Sequence, residues 1–232
     1  MIPLRDTTKS STFPFVNLTF ITLNILVFIY EVSLGQSLSS FIFEYGLIPA
    51  RVFSFSGTGV YDTLFPFLSS MFIHGGWLHI AGNVLFLYIF GDNVEARMGH
   101  IKYLIFYLVC GLAAALFQII TNIHSEIPMI GASGAISGVL GAYITFYPKS
   151  KILTLVPIFF FIQLIHIPAA IFIFIWFIIQ FLSGIGSLGL PEGAGGVAFW
   201  AHVGGFVAGL ILARHFQKRG FRVVKNGGKY YH

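Results

Sequence analysis

The amino-acid sequence predicts an all-α polytopic membrane protein with six transmembrane helices in a compact bundle. Three observations carry that prediction. Of 232 residues, 56% are hydrophobic and 17% aromatic, and the mean hydropathy is +0.87. Only 9% are charged, against about 25% in a soluble domain, so the chain lacks the polar surface to stay in water. Several apolar runs approach bilayer-spanning length, and the basic residues divide unequally between the two sides those runs define. Composition excludes a soluble enzyme, a disulfide scaffold and a disordered chain. The single cysteine, Cys110, lies inside an apolar run, where it reads as a small buried hydrophobe with no internal disulfide to form.

The first run covers about 13–32. Arg5 and Lys9 precede it as in a signal peptide, but no small-x-small cleavage site follows, so it reads as an uncleaved first span. Residues 33–70 hold Glu44, Arg51 and Asp62 and read as a long, partly folded loop on the membrane surface. Runs at about 71–91, 103–121 and 130–147 supply the second, third and fourth spans. The run at about 152–185 is too long for one span, and Pro157 and Pro168 break it. Its first part, 152–167, is expected as an interfacial or re-entrant piece leading into a fifth span at about 168–185. The sixth span covers about 197–216. The expected division is a cytoplasmic N-terminal segment at 1–12, a membrane domain at 13–216 and a basic cytoplasmic tail at 217–232.

The formal net charge of +5 and pI near 9.4 invite a nucleic-acid reading that charge placement removes. With the N-terminus in the cytoplasm, Arg5, Lys9, Arg97, Lys102, Lys149, Lys151, Arg214, Lys218, Arg219, Arg222, Lys225 and Lys229 all fall inside, and only Arg51 falls outside. Topology and anionic lipid therefore account for the basic tail, with no nucleic-acid partner. The chain shows no inverted repeat of the kind transporters carry.

Polar groups at membrane depth are costly, and three places hold them. The second span carries His74, His79 and Asn83, the fourth opens Gly131-Ala132-Ser133-Gly134-Ala135-Ile136-Ser137-Gly138, and the sixth contains Ala201-His202-Val203-Gly204-Gly205. Ser133 precedes the cytoplasmic Lys149 by sixteen residues, and His202 precedes Lys218 by sixteen. At about 1.5 Å per residue both lie about 24 Å above the inner boundary of a core about 30 Å thick. His79 and Asn83, four residues apart, share one helix face in the same outer layer. Ser133, Ser137 and Gly141, and Gly134, Gly138 and Ala142, on one helix, and Gly205, Gly209 and Ala213 on the other, form small-residue stripes that permit close approach.

Most of these glycines read as packing alone. Ser133 by itself reads as a serine bonded to its own helix, and His202 by itself as a neutral histidine bridging helices. Their matched depth on glycine-faced helices points further, because a serine beside a histidine is the minimal activated nucleophile. His74, His124 and His166 read as loop or interface residues. A zinc site is excluded because His79 is followed by Ile80, Ala81 and Gly82, without a ligand set. An aspartyl pair is excluded because Asp62 and Asp92 are neither buried nor level. No cofactor and no metal are called for.

These residues resemble the rhomboid intramembrane serine proteases in their six-helix bacterial form. The resemblance runs from the first span to the sixth. It rests on Gly131-Ala132-Ser133-Gly134, Ala201-His202-x-x-Gly205-x-x-x-Gly209, His79-x-x-x-Asn83 and Glu95-Ala96-Arg97-Met98-Gly99. It implies that Ser133 is the nucleophile and His202 the general base of a dyad. His79 and Asn83, with the Ser133 backbone N–H, would form the oxyanion hole. Glu95 and Arg97 would tie down the cytoplasmic turn, and Gly131 would shape the loop over the nucleophile. The sequence departs from many relatives in carrying Ser137 four residues after the nucleophile, where an aromatic ring would stack on the histidine.

Hydrolysis inside a bilayer needs water, so a polar cavity open to the outer face is expected. The glycine-rich stretch 183–200 reads as a mobile cap over it. The implied substrates are single-span membrane proteins whose helix unwinds easily near the outer face, entering between the second and fifth helices. The expected location is a bacterial cell membrane with both termini cytoplasmic, no organellar signal preceding the first span. Two other readings compete. One is a proteolytically dead relative that binds membrane proteins, which loss of Ser133 or His202 would have marked. The other is a small transporter lined by His79, Asn83 and His202, disfavoured by the tight glycine packing.

Overall fold

The computed structural model describes residues 1–53, 59–158, 161–187, 198–218, 224–226 and 229–231. Strand β1 (Ile2–Asp6) opens the chain, followed by helix α1 (Phe15–Ser33). The described residues between 33 and 70 include short helices, α2 (Leu38–Tyr45), α3 (Pro49–Phe53), α4 (Val60–Leu64) and α5 (Pro66–Ser69), which fits the partly folded loop read from the sequence. Helix α6 (Trp77–Phe86) runs through a π-helical turn (Leu87–Gly91) into α7 (Asp92–Met98). Helices α8 (His100–Thr121) and α9 (Ser133–Phe146) follow. Strands β2 (Lys151–Ile158) and β3 (Phe161–Pro168) precede α10 (Ala169–Ser187) and α11 (Phe199–Phe216), and a small hairpin, β4 (Val224–Asn226) and β5 (Lys229–Tyr231), lies beyond.

Three of these helices, α1, α8 and α10, are long and apolar enough to cross a membrane. In α1, Asn17, Phe20, Asn24, Phe28 and Glu31 face the bundle at three- and four-residue intervals, while Leu23, Leu26 and Ile29 are exposed. A lipid-facing apolar side is what that exposure describes. Helix α9 has 14 residues, about 21 Å of helix, and is the innermost element, buried continuously from Gly134 to Tyr143.

Glycine sets how close α9 and α11 come. A Cβ built on Gly205 would lie 2.0 Å from the Gly134 carbonyl oxygen, and one on Gly209 would lie 2.1 Å from that of Gly138. No side chain fits at either contact, so both stripes are packing faces. Glu95 of α7 ties the bundle's other end, accepting the backbone N–H groups of Val16 (2.9 Å) and Asn17 (2.7 Å). These are orphan donors of the first turn of α1, and a carboxylate there both satisfies them and complements the helix dipole.

The structure corrects the all-α expectation at 152–167, which forms strands. The interfacial or re-entrant piece is an antiparallel hairpin, with Lys151 opposite Pro168 and Ile158 opposite Phe161. β1 pairs along its other edge to complete the order β1-β2-β3. The segment is rich in β-branched and aromatic residues, and its prolines oppose a continuous helix. Pro157 lies beyond Leu155, the residue opposite the end of β1 at Ile2, where β2 no longer has a neighbour on that side. Ile152 and Thr154 are buried against the bundle, whereas Phe161, Ile162 and Leu164 of β3 are exposed.

Candidate active site

Ser133 is the first residue of α9, and His202 lies in the first turn of α11. The Ser133 hydroxyl is 2.7 Å from His202 Nε2. The two residues matched by depth are therefore in direct contact, brought together by the backbone approach of Gly205 and Gly209 to α9. As the opening residue of a helix, Ser133 has its backbone N–H among the donors that no intrahelical carbonyl takes up.

His79 and Asn83 stand on α6, facing the same space. Gly131 separates them from Ser133 in a backbone conformation (φ +116°) that only glycine adopts without strain. A Cβ there would lie 2.5 Å from His79 Nε2 and 3.7 Å from Asn83 Nδ2. The Gly131 N–H donates to the Ser70 carbonyl at 2.8 Å, anchoring the loop. Asn83 is buried, and its Nδ2 has no hydrogen-bond partner among the described residues. An unsatisfied buried amide is costly, and this one faces the loop leading to Ser133. Gly75 N–H reaches His79 Nδ1 at 3.4 Å, so that nitrogen is the acceptor and Nε2 carries the proton toward the site.

Behind this pair lies a support that no sequence motif announces. His74, expected as a loop or interface residue, precedes α6 in a loop and is buried with its ring edge-on to His79 at 5.1 Å. Its backbone N–H donates to both oxygens of Glu31, at 3.0 and 3.1 Å. Glu31 thereby ties the end of α1 to the loop entering α6. The sole signal in the sequence is an acidic residue inside an otherwise apolar run.

His202 carries a second contact, from Nδ1 to the side-chain oxygen of Gln180 at 2.7 Å. Trp176, one turn earlier on α10, has its ring 6.0 Å from that of His202 at an interplanar angle of 38°. Ser137, one turn after Ser133, donates to the Ser133 carbonyl at 2.6 Å. Neither Gln180 nor Trp176 belongs to a motif that sequence reasoning picks out. The available signal is a lone amide in a run without charge, at the four-residue spacing that shares one helix face.

A cavity of about 1010 Å³ joins these groups, lined among others by His79, Asn83, Ser133, Gln180, Trp200 and His202. It is roomy and partly polar, as a space that holds water must be. No group of three or more His, Cys, Asp or Glu able to hold a metal occurs among the described residues. The glycine-rich cap expected at 183–200 falls largely on 188–197, outside the described residues. Its first part, including Gly184 and Gly186, continues α10.

Comparison with known proteins agrees with the resemblance read from the motifs. The Rhomboid domain family model matches residues 61–219. The chain is 30% identical over 148 residues to Rhomboid protease AarA of Providencia stuartii, covering 58% of this chain and 51% of that protein. It is 34% identical over 124 residues to Rhomboid protease GluP of Bacillus subtilis, covering 53% of this chain and 23% of that protein. It is also 31% identical over 93 residues to Inactive rhomboid protein 1 of Drosophila melanogaster, covering 40% of this chain and 6% of that protein. The chain spans about half the length, or less, of the first curated relatives it matches. The apolar helices and the domain match together describe an integral membrane protein, and with 61–219 matched by one domain the chain belongs to the rhomboid family.

Proposed function

We propose that this protein is an intramembrane serine endopeptidase that hydrolyses peptide bonds in or near the transmembrane segments of membrane proteins. The observation that carries the reading is the 2.7 Å contact between Ser133 Oγ and His202 Nε2. Ser133 attacks the scissile carbonyl while His202 Nε2 takes its proton. His202 then delivers that proton to the leaving amine, and water attacking the acyl group repeats the sequence to free Ser133. The oxygen that gains charge is received by His79, Asn83 and the Ser133 backbone N–H. The unpartnered Asn83 amide supports that assignment, being a donor already desolvated and aimed before charge develops.

The substrates are single-span membrane proteins, and the cavity's polar wall is where an unwound stretch of such a helix would meet both Ser133 and water. The six spans are α1, α6 continued through α7, α8, α9, α10 and α11, forming a membrane domain over 13–216 with a short segment before it and a basic tail after it. The excess of basic residues at one end argues for cytoplasmic termini and an active site opening to the outer face, and the location proposed is a bacterial cell membrane. Because one relative carries the name of an inactive rhomboid, the test must read chemistry at Ser133. A fluorophosphonate should label the parent at Ser133 and leave Ser133→Ala unlabelled. Failure to label a folded parent contradicts the reading.

A further inference from the structure

In the dyad proposed above, the base needs an orienter, because a neutral imidazole accepts the serine proton only when its other nitrogen carries the hydrogen. Among the described residues no carboxylate is hydrogen-bonded to His202. What meets its Nδ1 is the Gln180 side-chain oxygen, at 2.7 Å. Trp176 flanks the ring from the same face of α10, its centroid 6.0 Å away, and packs on Phe206 of α11 at 6.3 Å. Ser137 cannot take this part, since it is buried and bonded to its own helix.

We propose that Gln180 is the positioning residue of the dyad, holding His202 in the Nδ1–H tautomer, and that Trp176 supplies the flanking ring absent at Ser137. This assignment rests on the protease reading. With Nδ1–H donated to the amide oxygen, the Nε2 lone pair is left facing the Ser133 hydroxyl, which is the arrangement general-base catalysis requires. A neutral amide does this where a carboxylate would carry an ionic charge to membrane depth at considerable cost. The start of α11 is fixed separately, the Ala201 N–H donating to Gln118 Oε1 at 3.1 Å. Gln118 thus anchors the helix and Gln180 aims the ring. Both orienting contacts come from α10, so any movement of α10 that draws Gln180 off Nδ1 leaves Ser133 beside a base free to take the wrong tautomer.

The test is steady-state cleavage of a single-span substrate in liposomes by the parent, Gln180→Met, Gln180→Glu and Ser133→Ala, with the Tm of each. Methionine keeps the length and removes the acceptor; glutamate keeps an acceptor oxygen. The expected result is a fall in kcat of about 10- to 100-fold for Gln180→Met with KM within about 2-fold. That is less than the loss of about 10⁴-fold when a charged orienter is replaced in a serine-protease triad. Gln180→Glu should recover to within about 5-fold of the parent. Gln180→Met cleaving at the parent rate overturns the assignment while leaving the protease reading intact. A loss that tracks a lowered Tm and is not rescued by Gln180→Glu makes Gln180 structural and overturns it as well. A folded parent with no cleavage removes the protease reading, and the assignment falls with it.

Discussion

Glu95 and Asn17, 78 residues apart, meet where α7 passes the start of α1, the carboxylate accepting the Asn17 backbone N–H at 2.7 Å. The same carboxylate takes the Val16 N–H and contacts His100 Nδ1. Asn17 in turn donates to the Leu87 carbonyl in the π-helical turn and accepts from the Tyr103 hydroxyl. One acidic side chain therefore joins α1, α7 and α8 at the end of the bundle remote from the dyad. Glu95→Ala leaves two buried N–H groups without partners and should cost about 2–4 kcal/mol, and Glu95→Gln, keeping one acceptor, about half as much. Thermal unfolding in detergent checks both, and parent-like stability in Glu95→Ala contradicts the account.

The distance between Ser133 and His202 is set by backbone contact rather than by side chains. Gly205→Ala places a methyl 2.0 Å from the Gly134 carbonyl oxygen, so α11 must move away from α9. Activity should fall by at least about tenfold, since a displacement near 1 Å can cost about 10²-fold in rate. Gly186→Ala is the matched control, with no atom of the described residues within 4 Å of the added carbon. Equal activity in the two variants refutes the packing argument.

Asn83 Nδ2 has no partner to lose among the described residues, so Asn83→Ala should leave stability near the parent's. If Asn83 receives the developing oxyanion, kcat should fall by about 10²-fold or more with KM little changed. A variant that folds and cleaves like the parent removes Asn83 from the mechanism.

Stability should depend on pH through Asp6. This residue of β1 hydrogen-bonds the Tyr143 hydroxyl and the Asn93 amide, close to Thr8, Ser150 and the charge of Asp92. Burial pushes its carboxyl from the ordinary 3.8 up to about 7, Asp92 adding to the rise and the Tyr143 hydrogen bond opposing it. The folded protein thus holds a proton there that the unfolded chain releases. The contribution is fully present below about pH 4, declines as pH rises toward about 7 and is lost above that. Unfolding followed from pH 4.5 to 8 should show this decline, and Asp6→Asn should make it shallower. A slope unchanged in Asp6→Asn contradicts the assignment.

Legibility follows the physics of each feature. Depth along a helix is linear in residue number, so counting back from Lys149 and Lys218 is enough to level Ser133 with His202. Small-residue spacing likewise announces the approach of α9 to α11. The hairpin at 151–168 is not legible in this way, because a short apolar run reads the same on a strand or a buried helix until a pairing partner is known. One such partner is β1, about 150 residues away in the chain. Gln180 and Glu31 escape for a related reason: a lone polar residue in an apolar helix declares that it has a partner without naming it. Only the packing of α10 on α11, and of α1 against the entry to α6, supplies the other half of each pair.

The most direct test of the central claim is cleavage of a panel of single-span substrates in liposomes by the parent, Ser133→Ala and His202→Ala. The account predicts cleavage by the parent that either substitution abolishes while all three proteins remain folded. Cleavage that persists in Ser133→Ala, or a folded parent that cleaves nothing and resists fluorophosphonate, would contradict it.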